Sequence, residues 1–280
     1  MHELVSLNGR ICKKTDANLI GVSGAALFGK GIFTTVAIYD GRASLWEKHW
    51  NRLVAAAAKL DVSLDGFTEG TVLKAVDEIV TRNALRTGRA RVTFFDESAT
   101  EIWEYEGAQK TSLLIMTGES RTASDNFRVE LSPHLINSTS PLAGVKSCNY
   151  LEHLLAYQEA KGRGFDEAIR CNERGEVTSA CLANVFWLKG DRMFTPSLKT
   201  GCLAGTTREF ALENIHCEEV ETGVEAVRDA DAVFLTSAGL SVVSVDEFNG
   251  RELRGKDHPI LRVGELLKSV GDQSERKLKS

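Results

Sequence analysis

From Gly118 to Asn126 the chain reads Gly-Glu-Ser-Arg-Thr-Ala-Ser-Asp-Asn, with no apolar side chain beyond Ala123. A stretch of that composition has nothing to bury, so it constrains the fold more than any other feature of the sequence. It divides the 280 residues into a small N-terminal α/β domain over 1–118 and a larger C-terminal domain over 127–280, with 119–126 as the linker. Each part is long enough to enclose a core of its own.

Periodicity fills in both parts. Leu4–Leu7 reads as a strand, and the Asn8-Gly9 pair after it marks a hairpin. Val36–Tyr39 is a second strand, closed by Asp40-Gly41. From Leu45 to Leu60 the apolar positions Leu45, Trp46, Leu53, Ala56, Ala57 and Leu60 recur at helical spacing, with His49 on the same face. A further helix is expected over Val72–Leu85, and strands over Arg89–Phe95, Glu101–Tyr105 and Ser112–Met116. Beyond the linker, strands are expected at Arg128–Ser132, Glu167–Cys171, Asn184–Leu188, Arg192–Thr195, Ala232–Thr236 and Ser241–Val245. Helices are expected at Tyr150–Lys161 and Thr206–Asn214, and a frayed tail from Lys268. Helices and strands mix irregularly, without strict βαβ alternation, which defines an α+β fold in two domains.

Several function classes are disfavoured by composition. Thirty-four Lys+Arg against 39 Asp+Glu leave a net charge of −5, so no positive field draws the chain to nucleic acid or to a membrane surface. No apolar run approaches the length of about 18 residues that a membrane span requires. Met1–Arg10 carries Glu3 and Asn8 and lacks the basic-then-apolar order of a secretion signal, so the cytoplasm is the expected compartment. The cysteines at 12, 148, 171, 181, 202 and 217 form no Cys-x-x-Cys pair and never meet histidine at ligand spacing. Free thiols and no metal site are expected.

Three places carry chemical potential. Lys146 follows the apolar approach Leu142-Ala143-Gly144-Val145 and directly precedes a helix. A lysine is ordinarily a solvated surface group, but one held in an apolar pocket has a depressed pKa and can form a Schiff base with a carbonyl. Asn149 stands where a cap of that helix would fall. Leu203-Ala204-Gly205-Thr206-Thr207-Arg208 opens another helix, and Thr206 and Thr207 serve either as ordinary caps or as a phosphate seat. Thr236-Ser237, after an apolar strand, has the same two readings. His49 and Arg52 share one helix face beside Leu53 and Ala56, where Arg52 is either a snorkelling side chain or an anion ligand.

Together and in this order, the segments resemble class IV (fold type IV) pyridoxal-phosphate enzymes, a family of branched-chain and D-amino-acid aminotransferases and 4-amino-4-deoxychorismate lyase. The likeness runs from Leu7-Asn8-Gly9 to about Val245. Its first block is Gly31-Ile32-Phe33-Thr34-Thr35, Asp40-Gly41-Arg42 and His49-Trp50-Asn51-Arg52-Leu53. Its second is Lys146 through Leu151 with Gly164-Phe165-Asp166-Glu167-Ala168. Gly175-Glu176-Val177-Thr178, Asn184-Val185-Phe186, the Leu203–Arg208 segment and Phe234-Leu235-Thr236-Ser237 complete it.

The resemblance implies a D-amino-acid-aminotransferase-like fold, pyridoxal 5'-phosphate in a cleft between the domains, a small amine as substrate, and a homodimer. Lys146 would carry the cofactor covalently and act as the catalytic acid/base, Arg52 would bind its phosphate, and Thr206 and Thr207 would complete the phosphate cup. Ser179 and Ser237 would also face the cofactor. Phe33-Thr34-Thr35, the Leu131–Lys146 approach and Cys181–Gly190 lean toward the lyase. The activity so implied is an α,β-elimination that converts 4-amino-4-deoxychorismate to pyruvate and the folate precursor 4-aminobenzoate. The alternative is a class IV aminotransferase acting on branched-chain or D-amino acids.

Two departures bear on the reaction. After Gly-x-Val-Thr the family normally places a Glu that pairs with the cofactor's pyridine nitrogen. Here Ser179 stands there, and Glu176 lies three residues too early. A neutral hydroxyl does not hold a pyridinium charge as a carboxylate does, so the ring becomes a weaker electron sink, which favours elimination over transamination. Ala37 and Asp96 stand where arginines that bind substrate carboxylates are common, leaving Arg42, Arg91, Lys199 and Arg208 as candidates for that task.

Overall fold

A computed structural model describes residues 1–99, 109–253, 255 and 258–277 of the chain. The strand expected over Glu101–Tyr105 lies outside the described residues. Two compact units divide the chain between Arg121 and Thr122, inside the polar run. The first unit also takes in Lys146–Asn149 and the last helix from Leu267 on; the second holds Thr122–Val145 and Tyr150–Leu266.

The first unit begins with the hairpin β1 (Leu4–Leu7) and β2 (Arg10–Lys13), then the short helix α1 (Gly24–Phe28). It continues with β3 (Gly31–Tyr39), β4 (Arg42–Ala43), α2 (Trp46–Leu60), α3 (Glu69–Arg82), β5 (Gly88–Asp96) and β6 (Thr111–Gly118). Its six strands form one antiparallel sheet in the order β2-β1-β6-β5-β3-β4. The expected hairpin turn at Asn8-Gly9 and the expected turn at Asp40-Gly41 each have two consecutive positive φ angles, 52° and 78° in the first and 49° and 79° in the second, the geometry that asparagine, aspartate and glycine tolerate. Helix α2 packs on β3 with Trp46, His49, Leu53, Ala56 and Ala57 buried, the face read from the sequence. A reciprocal capping box between Thr68 and Thr71 starts α3 three residues before the expected Val72.

The second unit contains β7 (Arg128–Leu131), α4 (Leu151–Gly162), β8 (Glu167–Cys171), β9 (Val177–Ala180), β10 (Asn184–Lys189) and β11 (Arg192–Pro196). After these come α5 (Thr206–Asn214), β12 (Glu218–Val220), α6 (Glu225–Arg228), β13 (Ala232–Ser237), β14 (Ser241–Ser244), β15 (Glu247–Phe248), β16 (Arg251–Glu252) and α7 (Ile260–Lys277). Two five-stranded sheets result, β12-β11-β10-β13-β14 and β16-β15-β7-β8-β9.

Strands β10 and β13 explain why these runs are apolar throughout. Val185, Trp187, Val233 and Leu235 join one core with Val129, Ile169 and Val177. Phe186, Ala232 and Phe234 point the other way, into a second core with Ala211, Ile260 and Val263. A strand buried on both faces reads as continuous hydrophobicity rather than alternation. The C-terminal tail expected to fray from Lys268 instead continues α7 to Lys277, on an apolar spacing of Ile260, Val263 and Leu267. All six cysteines are free thiols.

Candidate functional site

In the first unit, Lys146 is fixed by its backbone. Residues 146–148 run antiparallel to the start of β3, with Phe33 N donating to Lys146 O at 2.9 Å and Cys148 N donating to Gly31 O at 2.8 Å. Gly31 makes this approach possible. A Cβ there would lie 2.8 Å from Phe94 O and 3.0 Å from Cys148 Sγ. The pairing sets Lys146 Nζ 4.6 Å from the centre of the Phe33 ring, and Arg91 on β5 places its guanidinium carbon 3.6 Å from the same centre.

Although Lys146 as a residue is only half-buried, its amine is desolvated, and this holds its pKa well below the ordinary lysine range. The charges of Arg52 and Arg91 push it the same way. Such a lysine gives up its proton easily and becomes a nucleophile and a base. Cys148 keeps its thiol proton, because burial raises its pKa against a smaller opposing effect from Arg91.

On α2, His49 and Arg52 both turn to Thr34 of β3. Arg52 Nη2 donates to Thr34 Oγ1 at 2.6 Å, and His49 Nδ1 lies 2.6 Å from the same oxygen. Burial, and then the charges of Arg52 and Lys146, keep the His49 imidazole well below its usual pKa and therefore neutral. Arg52 thus bonds to a polar group of the sheet.

The second unit holds the remaining predicted residues. Thr206 and Thr207 are buried at the start of α5, whose N-cap is Gly205 and carries no side-chain cap. Asn184 organises the approach to that helix, donating through Nδ2 to Leu203 O at 2.8 Å. Gly205 packs so tightly on the Asn184 amide that a Cβ would collide with it. Thr236 pairs with Asn184 across β10 and β13 and so shares its face, and the buried Thr236 Oγ1 has no hydrogen-bond partner. Ser237 Oγ accepts from Leu240 N at 3.1 Å. Ser179 is buried on β9 opposite Arg170 of β8. The sequence pointed to these residues by type, but it carried no signal for the Asn184 contact or for the bond from Thr34 to Arg52.

Several sequence candidates are committed elsewhere. Glu176 accepts from Asn172 Nδ2 and Arg174 Nη2, both at 2.7 Å, so it closes a hairpin and does not substitute for a carboxylate at 179. Asp96 pairs with Lys30 Nζ at 3.1 Å and accepts from Ser98 N at 2.8 Å. Arg208 is tied to Glu219 and to Pro196 O, and Lys199 is exposed beside Glu221. Asn149 does not cap α4; its amide donates to Gly29 O at 3.1 Å. Of the four cations named as carboxylate ligands, Arg91 shares the Phe33 ring with Lys146.

This coupling has a measurable sign. Removing the Arg91 cation lifts an opposition to protonating Lys146, so Arg91→Met is expected to raise the lysine's pKa. The pH profile for capture of free pyridoxal by the apoprotein then moves to higher pH. A profile that stays in place refutes the coupling.

The chain belongs to the amino-transferase class IV family, whose profile matches residues 31–248. The aminodeoxychorismate lyase of Bacillus subtilis (strain 168) is 28% identical over 258 residues, covering 88% of each chain. The structure resembles that of the branched-chain aminotransferase from Thermoproteus uzoniensis, with a TM-score of 0.88 at 23% identity, covering 99% of this chain and 97% of the other. It also resembles the branched-chain amino acid aminotransferase of Escherichia coli, with a TM-score of 0.86 at 19% identity, covering 95% and 93%. The α+β architecture is fold type IV. The chain is therefore a pyridoxal-phosphate-dependent aminotransferase or lyase.

The residues present fit that cofactor on their own chemistry. A desolvated amine suits its carbonyl. An uncapped helix start beside buried threonines, and a buried hydroxyl without a partner, suit its phosphate. On β9, Ser179 is a neutral hydroxyl and not a carboxylate.

Proposed function

We propose that the chain is a lyase that converts 4-amino-4-deoxychorismate to 4-aminobenzoate and pyruvate, a step toward folate. The observation that carries the reading is Lys146, a desolvated amine flanked by two fixed cations. Likeness to the Bacillus subtilis lyase and the hydroxyl at Ser179 support elimination over transamination.

In this proposal Lys146, Arg52, Thr206, Thr207, Ser179 and Ser237 hold the cofactor, and Lys146 is catalytic. When bound, the cofactor supplies a carbonyl for the substrate amine and a ring that withdraws electrons from the amine-bearing carbon. Lys146 Nζ takes the proton from that carbon. The bond from the neighbouring carbon to the enolpyruvyl oxygen breaks, its electron pair leaves with the oxygen, and the six-membered ring becomes aromatic. Lys146 returns the proton to the departing enolate, which becomes pyruvate. Arg91 takes a substrate carboxylate and keeps its charge near the reacting carbon.

We also place the enzyme in the cytoplasm as a homodimer. Leu151, Leu154 and Leu155 form an exposed apolar stripe on α4 that a second copy would cover, and sedimentation of the purified protein reads the assembly. The second reading, a branched-chain or D-amino-acid aminotransferase, is favoured by the fold's likeness to the Thermoproteus uzoniensis enzyme. Cofactor-loaded protein given 4-amino-4-deoxychorismate separates the two. Pyruvate and 4-aminobenzoate in equal amounts are expected, with little spectral response to amino acids. No pyruvate, together with conversion of the cofactor to its amine form by an amino acid, would establish the aminotransferase.

A further inference from the structure

Thr34 lies on β3 with no exposed surface, and its one hydroxyl meets two ionisable side chains of α2. Arg52 is a donor only, so its 2.6 Å bond uses an acceptor lobe of Thr34 Oγ1 and leaves the hydroxyl hydrogen for His49 Nδ1, also at 2.6 Å. Nδ1 is then the acceptor. The arrangement around it agrees, since Arg52 Nη2 lies 3.5 Å from Nδ1 and a hydrogen there would face a group with none but donors. The bonds run in one direction, from Arg52 to Thr34 to the neutral ring of His49.

Thr34 therefore stands between two groups that would otherwise join each other. Without its hydroxyl, His49 Nδ1, 3.5 Å from Arg52 Nη2, is left as an acceptor toward which the guanidinium can turn. With it, the guanidinium is tied to a β-branched side chain, stiff at χ1, on a strand paired to β5 at Val92.

We propose that Thr34 is a positioning residue, whose hydroxyl aims the Arg52 guanidinium at the cofactor phosphate and keeps His49 from capturing it. The inference rests on the assignment of Arg52 to that phosphate, and the test separates the two.

The apoprotein is titrated with pyridoxal phosphate and with pyridoxal, which lacks the phosphate, in wild type, T34V, T34S, R52A and T34V/R52A. T34V keeps size and shape, and T34S restores the hydroxyl. T34V is expected to weaken pyridoxal phosphate by roughly ten- to hundredfold, as for loss of a hydrogen bond to a charged group. Pyridoxal affinity should stay within about threefold, the scatter of a neutral change. T34S should recover most of the loss, and T34V should cost nothing further once Arg52 is gone. Equal losses for both ligands, or full additivity with R52A, would mark Thr34 as structural and overturn the proposal. R52A that lowers phosphate preference while T34V preserves it overturns the proposal alone. R52A without effect on that preference overturns the phosphate assignment and this inference with it.

Discussion

Replacing Lys146 with alanine is expected to abolish turnover, by roughly 10^4-fold or more, because in the proposed reaction one side chain serves as both covalent anchor and acid/base. The visible absorbance of the lysine-bound cofactor disappears with it. The fold should persist. What holds residues 146–148 to β3 is backbone, Phe33 N to Lys146 O and Cys148 N to Gly31 O, and neither bond involves the lysine side chain. Removing the amine also relieves a site where Arg52 and Arg91 already oppose a third positive charge. Thermal melting of apo Lys146→Ala should accordingly match or exceed that of the apo wild type. Pyruvate release above about one per cent of wild type would point to another base, outside the range that loss of a general acid/base allows. A collapse in melting temperature would show that the side chain is structural.

The sequence made the elements with strong local signals legible. Helix α2 was visible because its apolar stripe has one period, and β10 and β13 were visible because they are buried on two faces. The turns Asn8-Gly9 and Asp40-Gly41 showed through residues that tolerate positive φ. Short pieces held by distant partners were not visible. β9 has four residues, and β12 pairs in parallel with β11 from across a helix.

The candidate residues were legible by type and order, but their arrangement was not. Nothing local shows that residues 146–149 leave the second part of the chain to pair with β3. That depends on Gly31 being small enough to admit Cys148. Nor does spacing show that Arg52 reaches a threonine 18 positions earlier, since sheet and helix must pack first. The charges expected to compensate for Ala37 and Asp96 were narrowed only by geometry, which tied Arg208 to Glu219 and set Arg91 over Phe33.

The second large effect is expected at Ser179. Ser179→Glu should raise the rate at which an amino acid converts the cofactor to its amine form, by roughly ten- to hundredfold, the worth of a hydrogen bond between charged groups. The argument depends on the new carboxylate being ionised in a buried place. Directly opposite, on β8, is Arg170, a fully buried arginine that donates to His134 O, Leu135 O and Glu152. Opposed residues in an antiparallel pair have their Cβ atoms about 5 Å apart, so a glutamate at 179 lies beside a permanent cation that favours its charged form. An ionised carboxylate there can hold a proton on the pyridine nitrogen, which transamination needs for longer than elimination does. Elimination draws its driving force from an aromatic product, and pyruvate release by the same variant should change little. Stopped-flow spectra with an amino-acid panel, alongside the pyruvate assay, measure both rates. Unchanged rates in both would remove Ser179 from the proposed account of elimination, leaving the choice of reaction to the groups proposed to bind substrate carboxylates, Arg91 first among them.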